Sequence, residues 1–193
     1  MPNCTQESFG FSSFDRREIE ANFGGGEVTS DGGILLLREA DRRLGLVAAL
    51  DAVILDPRDP LQITHDQVDL LRQRIYGLAL GYEDLNDHDT LRGDAAWQTA
   101  VERDTPLASS PTLCRLEQRI DRRAAVAMHE VLFEKFVASF AAPPKQLILD
   151  FDATDDRVHG NQEGRFFHGY YGDWCFLPLY VFCGEQLLVS YLR

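Results

Sequence analysis

The run Leu147-Ile148-Leu149-Asp150-Phe151-Asp152-Ala153-Thr154-Asp155-Asp156 joins three aliphatic residues to four carboxylates. The aliphatic positions predict a short buried strand whose carboxyl end delivers the acidic residues. Side chains alternate along a strand, so Asp150 and Asp152 project from one face. Two neighbouring carboxylates raise each other's pKa unless a cation shares their space. Hard oxygen ligands suit Mg²⁺ or Mn²⁺, ions that polarise a phosphoryl oxygen and activate a water or hydroxyl nucleophile. The competing reading is a solvated strand end, with Asp155 or Asp156 turning the chain or capping a helix. Position favours the first reading, because active sites in open sheets gather at the carboxyl ends of strands.

Ala141-Ala142-Pro143-Pro144 precedes this run and is the sharpest boundary in the chain, since paired prolines cannot continue a helix. After it come a Gly-rich turn from His159 to Gly164 and two β-leaning runs, Phe176 to Cys183 and Gln186 to Leu192. Before it the pattern is helical. Ile34, Leu37, Ala40, Leu44 and Val47 predict one amphipathic helix from near Gly32, capped by Ser30-Asp31. Asp56-Pro57 and Asp59-Pro60 mark a loop. Thr64 and Gln67 resemble a capping box ahead of a helix carrying Val68, Leu71, Ile75, Leu78 and Tyr82. An acidic, turn-rich segment from Glu83 to Asp94 leads to a short helix at Ala95 to Glu102. Ser110-Pro111 then opens a helix that buries Leu113, Leu116 and Ile120, breaks near Asp121 and continues through Val126, Val131, Phe133 and Val137. Near the N-terminus, Ile19, Ala21 and Phe23 alternate with polar residues as in a half-buried strand. The predicted fold class is α+β or α/β, with residues 1–142 mostly helical and 143–193 opening a sheet.

Composition narrows the function. The chain has 193 residues, 45% hydrophobic and 26% charged, enough for a sizeable core without disulfides or metal staples. Its apolar runs are too short to span a bilayer and its N-terminus has no signal-peptide pattern, so a cytoplasmic protein with no membrane partner is expected. Four cysteines with no C-x-x-C pair predict free thiols in a reducing compartment. The formal net charge of −12 works against a simple electrostatic hold on nucleic acid, which needs clustered Lys and Arg.

Several separated blocks carry a family likeness. Asp150 to Asp155, His159-Gly160-Asn161-Gln162-Glu163-Gly164, Phe167-His168-Gly169-Tyr170-Tyr171 and Leu177-Pro178-Leu179 resemble the first catalytic segment of bacterial DDE-type insertion-sequence transposases, specifically the group numbered thirteen-eighty. Upstream, Thr29-Ser30-Asp31-Gly32-Gly33, Gly81 to Asp87 and Ser110 to Glu117 are similar to that group's N-terminal region. The resemblance implies a helical, DNA-engaging region followed by an RNase-H-like catalytic domain. It implies three carboxylates holding two Mg²⁺ or Mn²⁺ ions that serve phosphodiester hydrolysis and strand transfer, with DNA ends and target as substrates and a homo-oligomer as the working form. The family's first carboxylate, in a D-x-T context, maps to Asp152, with Asp150 as a lesser choice or a neighbouring partner. The family's second Asp and its Glu lie beyond residue 193, so the resemblance leads to the expectation of a truncated catalytic domain that is inactive alone.

Other residues admit two readings each. Arg115, Arg119 and Arg122 recur at helical spacing with Arg123 beside them, either as DNA-contacting residues of a helix-turn-helix-like unit or as a solvated face balanced by Glu117 and Asp121. His159 and His168 could approach a metal or phosphate, or serve structural hydrogen bonds. Turn chemistry is sufficient for Glu163 and Arg165. Leu147 to Thr154 also fits the opening of haloacid-dehalogenase-type phosphatases, with Asp150 as nucleophile and Asp152 as general acid/base. That family needs a later Lys and acidic pair, and no acidic pair follows Thr154 by the end of the 193 residues except Asp155-Asp156 itself. A third reading is a non-catalytic DNA-binding remnant of a transposase.

Overall fold

Gly45 divides the first predicted helix in two. In the computed structural model, which describes residues 9–21 and 29–192, α1 (Ile34–Leu44) and α2 (Leu46–Val53) meet at this glycine. Its φ of 61° is the left-handed conformation that suits a residue without a Cβ. The Gly45 amide donates to Asp41 O at 2.6 Å, and the Asp41 carboxylate accepts from Val47 N at 2.8 Å. The join turns the expected stripe: Ile34 and Val47 are buried, whereas Ala40 and Leu44 face solvent.

Two units make up the chain, 1–124 and 125–193. In the first, α3 (Gln67–Ala79) follows Asp66, and Gln67 forms no capping box with Thr64. Its amide donates instead to Ile54 O at 2.8 Å and to Asp51 at 3.1 Å. The buried face of α3 is Leu70, Leu71, Gln73, Tyr76 and Gly77, while Leu78, expected inside, is exposed. One short helix, α4 (Asp87–Leu91), forms within the segment expected to be turns. Asp94 caps α5 (Ala95–Val101) by accepting from Ala96 N and Trp97 N. Pro111 stands in the first turn of α6 (Ser110–Arg119), which buries Leu113 and Leu116 and ends at Ile120. Each such buried leucine contributes roughly 1.5–3 kcal/mol.

Hydrogen bonds join the first two upstream sequence blocks to each other and tie the third to Asp89, just beyond the second. Asp31 accepts from Tyr82 Oη at 3.0 Å and from Trp97 Nε1 at 2.9 Å. Asp89 accepts from the backbone amide and the hydroxyl of Ser110 at 2.9 and 2.7 Å. Gln73 pairs with both backbone groups of Ala108, satisfying a buried loop as a strand would. Glu102 ends α5 with a φ of 67°, and its two carboxylate oxygens receive Arg38, Arg42 and Arg72, each at 3.1 Å.

The strands of the N-terminal segment are short: β1 (Phe9–Gly10) pairs antiparallel with β2 (Glu20–Ala21). Phe23, predicted to extend this strand, lies outside the described residues. The second unit holds most of α7 (Arg122–Ala138), which begins after the predicted break and buries Val131 and Phe136. Phe133 and Val137, read as part of its apolar stripe, are exposed. Six strands follow: β3 (Asp150–Ala153), β4 (Asp156–Arg157), β5 (Phe166–His168), β6 (Asp173–Phe176), β7 (Pro178–Cys183) and β8 (Gln186–Leu192). They form two antiparallel sheets, β3-β7-β8 and β4-β6-β5. Thr154 N donates to Pro178 O at 3.1 Å and Val158 N to Trp174 O at 2.9 Å. The two sheets are therefore halves of one bent ribbon, with β3 and β4 running along β7 and β6. His129 of α7 lies 2.6 Å from Ser190 O and 3.2 Å from Ser190 N, tying the helix to β8. All described strand pairs are antiparallel, so the class is α+β rather than α/β.

Candidate functional site

Leu147, Ile148 and Leu149 are not the strand that the apolar run predicts. The strand begins at Asp150, and the three aliphatic residues are exposed. The register explains this. Asp150 lies opposite Phe182, so positions 149 and 148 fall opposite Cys183 and Gly184, where β7 ends and the β7–β8 turn begins. The strand runs out of partner before it runs out of apolar residues. The carboxylates consequently sit within β3 rather than beyond its carboxyl end.

Asp150 and Asp152 share a face of β3, opposite Phe182 and Tyr180, whose rings stand 6.4 Å apart on that same face. Both carboxylates are exposed, and neither makes an ion pair among the described residues. Asp155 is half-buried and Asp156 opens β4 opposite Phe176. Burial pushes the Cys175 thiol up, and the nearby carboxylates of Asp155, Asp173 and Asp156 push it further. The ribbon thus carries two acidic groups of residues, Asp150 with Asp152 on β3 and a second around Cys175. Among the described residues no set of three or more His, Cys, Asp or Glu side chains gathers at ligating distance. Two unpaired hard-oxygen donors at i and i+2 suit an ion that keeps most of its waters, as Mg²⁺ does when one or two carboxylates hold it.

The remaining candidates are dispersed. His159 and Glu163 are exposed in the turn after β4. His168 stacks with Tyr171, ring centroids 4.9 Å apart, and its Nδ1 is shielded from solvent without a hydrogen-bond partner among the described residues. Arg165 lies over the Trp174 ring at 4.6 Å and donates to Gly160 O and Asn161 Oδ1. Cys114, Cys175 and Cys183 are free thiols.

In the first unit, Arg115 and Arg119 lie on α6. The break at Ile120-Asp121 puts Arg122 and Arg123 at the start of α7, so the continuous helical face expected of Arg115, Arg119 and Arg122 is not formed. Arg119 meets a residue that sequence reading passed over: its Nη1 donates to Asp56 Oδ1 at 2.6 Å, while Arg58 grips both oxygens of Asp56 through Nε and Nη2. The Arg58 hydrogen bonds, with help from Arg119, lower the Asp56 pKa to about 2. Asp56-Pro57-Arg58 reads as loop punctuation, and only its D-x-R spacing hints at a side-chain pair.

A family described as transposase DDE domain group 1 matches residues 11–193. The chain belongs to this family. Neither the curated proteins nor the solved structures match it. The match spans both units of this transposase chain, including the helical region, the carboxylate-bearing β3 and the strands after it. A transposase family implies DNA as substrate and divalent metal ions in the chemistry. Among the described residues no helix is long and apolar enough to cross a membrane.

Proposed function

We propose that the chain serves DNA transposition of an insertion sequence of the group thirteen-eighty kind, in the cytoplasm and as a homo-oligomer. Residues 1–142 engage the element's terminal inverted repeats and 143–193 open an RNase-H-like catalytic domain. The observation that carries this reading is the family match over 11–193 together with an exposed, unpaired carboxylate pair on one face of β3. The antiparallel order β3-β7-β8, with β3 at an edge, supports the RNase-H-like assignment. The phosphatase reading loses ground, because a doubly wound fold needs parallel strands and the described pairs are all antiparallel.

Asp152 is the proposed first metal ligand and Asp150 its neighbour. When bound, Mg²⁺ or Mn²⁺ supplies Lewis-acid polarisation of the phosphodiester and activation of the attacking oxygen. The two carboxylates supply the charge that attracts such an ion, and β3 fixes them on one face. Two ligands are fewer than the family's three, so the described residues alone do not complete the site. The 193-residue chain by itself is therefore expected to bind Mn²⁺ weakly without cutting DNA.

The test is Mn²⁺ titration followed by electron paramagnetic resonance. Asp152→Asn should abolish the bound signal and Asp150→Asn should weaken it. A bound signal undiminished in Asp152→Asn removes that residue from the site. Cleavage of a terminal-repeat duplex by the chain alone would overturn the claim that its site is incomplete.

A further inference from the structure

The first unit contains a cationic cleft that the overall charge conceals. Arg58, from the loop after α2, faces Arg115 and Arg119 of α6 across a cleft of about 390 Å³, with Thr112 and Gln118 on its wall. Behind them lie Leu70 and Leu116, which are almost wholly buried and give the cleft a dry apolar floor. Two of these guanidinium groups, those of Arg58 and Arg119, are held from opposite elements by one carboxylate, that of Asp56, and Arg58 Nη1 also donates to His65 O at 2.9 Å. Arg115 is exposed, donates to Thr112 Oγ1 of its own helix at 3.0 Å and makes no ion pair among the described residues. Arg119 Nε is shielded from solvent and has no hydrogen-bond partner among the described residues. Asp66 acts on Arg58 from further away. The cleft thus gathers positive charge in a chain of net charge −12.

We infer that this cleft is a binding site for backbone phosphates of duplex DNA, with Arg58, Arg115 and Arg119 as its cationic contacts. The donor set is that of a phosphate site: planar guanidinium forks, a threonine hydroxyl and a glutamine amide. Asp56 acts as the positioning residue. By gripping Arg58 in a bidentate pair and Arg119 through one nitrogen, it fixes both forks before DNA arrives. This answers the charge objection, because phosphate contact depends on the local cluster and not on the sum over the chain. The inference rests on the DNA-engaging role proposed for the helical region and adds the groups and the part of DNA that meet.

The test is fluorescence anisotropy of the full chain with two labelled duplexes, one carrying the element's terminal repeat and one scrambled. Binding is measured between about 50 and 200 mM salt. Arg115→Gln breaks no tertiary contact, so it should leave the melting temperature unchanged. It should weaken binding to both duplexes several-fold and reduce the slope of log affinity against log salt by about one. Arg58→Gln should likewise weaken binding and reduce the slope, though it also breaks the pair with Asp56, and Asp56→Asn should weaken binding despite removing a negative charge. If the wild-type chain binds DNA and both arginine variants keep its affinity and slope, the cleft is refuted while the DNA-engaging role stands. Failure of the wild-type chain to bind either duplex removes both, leaving the Mn²⁺ experiment to judge the β3 carboxylates separately.

Discussion

Gly77 carries the most sharply defined constraint at the scale of single residues. It lies inside α3, where alanine is ordinarily favoured over glycine by about 1 kcal/mol. A Cβ at this position would stand 2.7 Å from His88 Cε1 and 2.9 Å from Nε2. The His88 ring cannot yield easily, since the residue is fully buried and packs edge-on against Trp97 with ring centroids 5.7 Å apart. Gly77→Ala is therefore expected to destabilise the chain by about 1–3 kcal/mol, reversing the helix preference. Urea unfolding checks the sign; a stabilised variant would show that the ring has room to move. His88 also responds to pH. Burial, assisted by the Arg74 charge, holds its pKa below 6.5 in the folded chain. The unfolded chain then takes up the proton first, so this contribution to stability is complete above pH 6.5 and is lost as pH falls towards the lower folded value. Burial shifts His65 in the same direction. Stability measured from about pH 7 to 5 should fall in the wild type and fall less steeply in His88→Asn. Identical slopes would assign the pH dependence to other groups.

At the scale of elements, α1, α3 and α5 are joined through Glu102. Arg38 is 2% exposed, so its charge depends on that carboxylate and on Ser12 O, to which it donates at 2.9 Å. Removing one partner of a buried pair costs far more than the pair contributes, because the other charge is left uncompensated. Glu102→Gln should cost about 2–4 kcal/mol, whereas Arg42→Gln, on a side chain 43% exposed, should stay within about 1 kcal/mol. Equal losses on urea titration would mean that Arg38 is satisfied without Glu102. The elements that sequence reading found are those with local causes. Ser110-Pro111 starts α6 because proline's fixed φ suits the first turn, and Asp94 starts α5 with its own side chain. Gly45 was hidden because one glycine in an apolar stripe is affordable in a helix. Its left-handed turn is fixed by Asp41, whose side-chain role periodicity does not reveal.

For the whole molecule, sequence reading left α+β and α/β both open, found the family likeness, and missed relations between distant segments. Asp56 and Arg119 are 63 positions apart, and nothing in either neighbourhood announces the pair. The strand at Leu147 was misplaced for a similar reason: its start depends on where β7 ends, which is settled by the turn at Gly184. Asp150 and Asp152 were legible because alternation along one strand is a local rule. Their surroundings also give them a second role. Among the described residues β3 pairs only with β7, and Phe151, 64% exposed, points away from the carboxylates on an otherwise open rim. Charge along such a rim keeps a like strand from docking onto it. An ion that neutralised those two aspartates would also remove the charge that guards this rim.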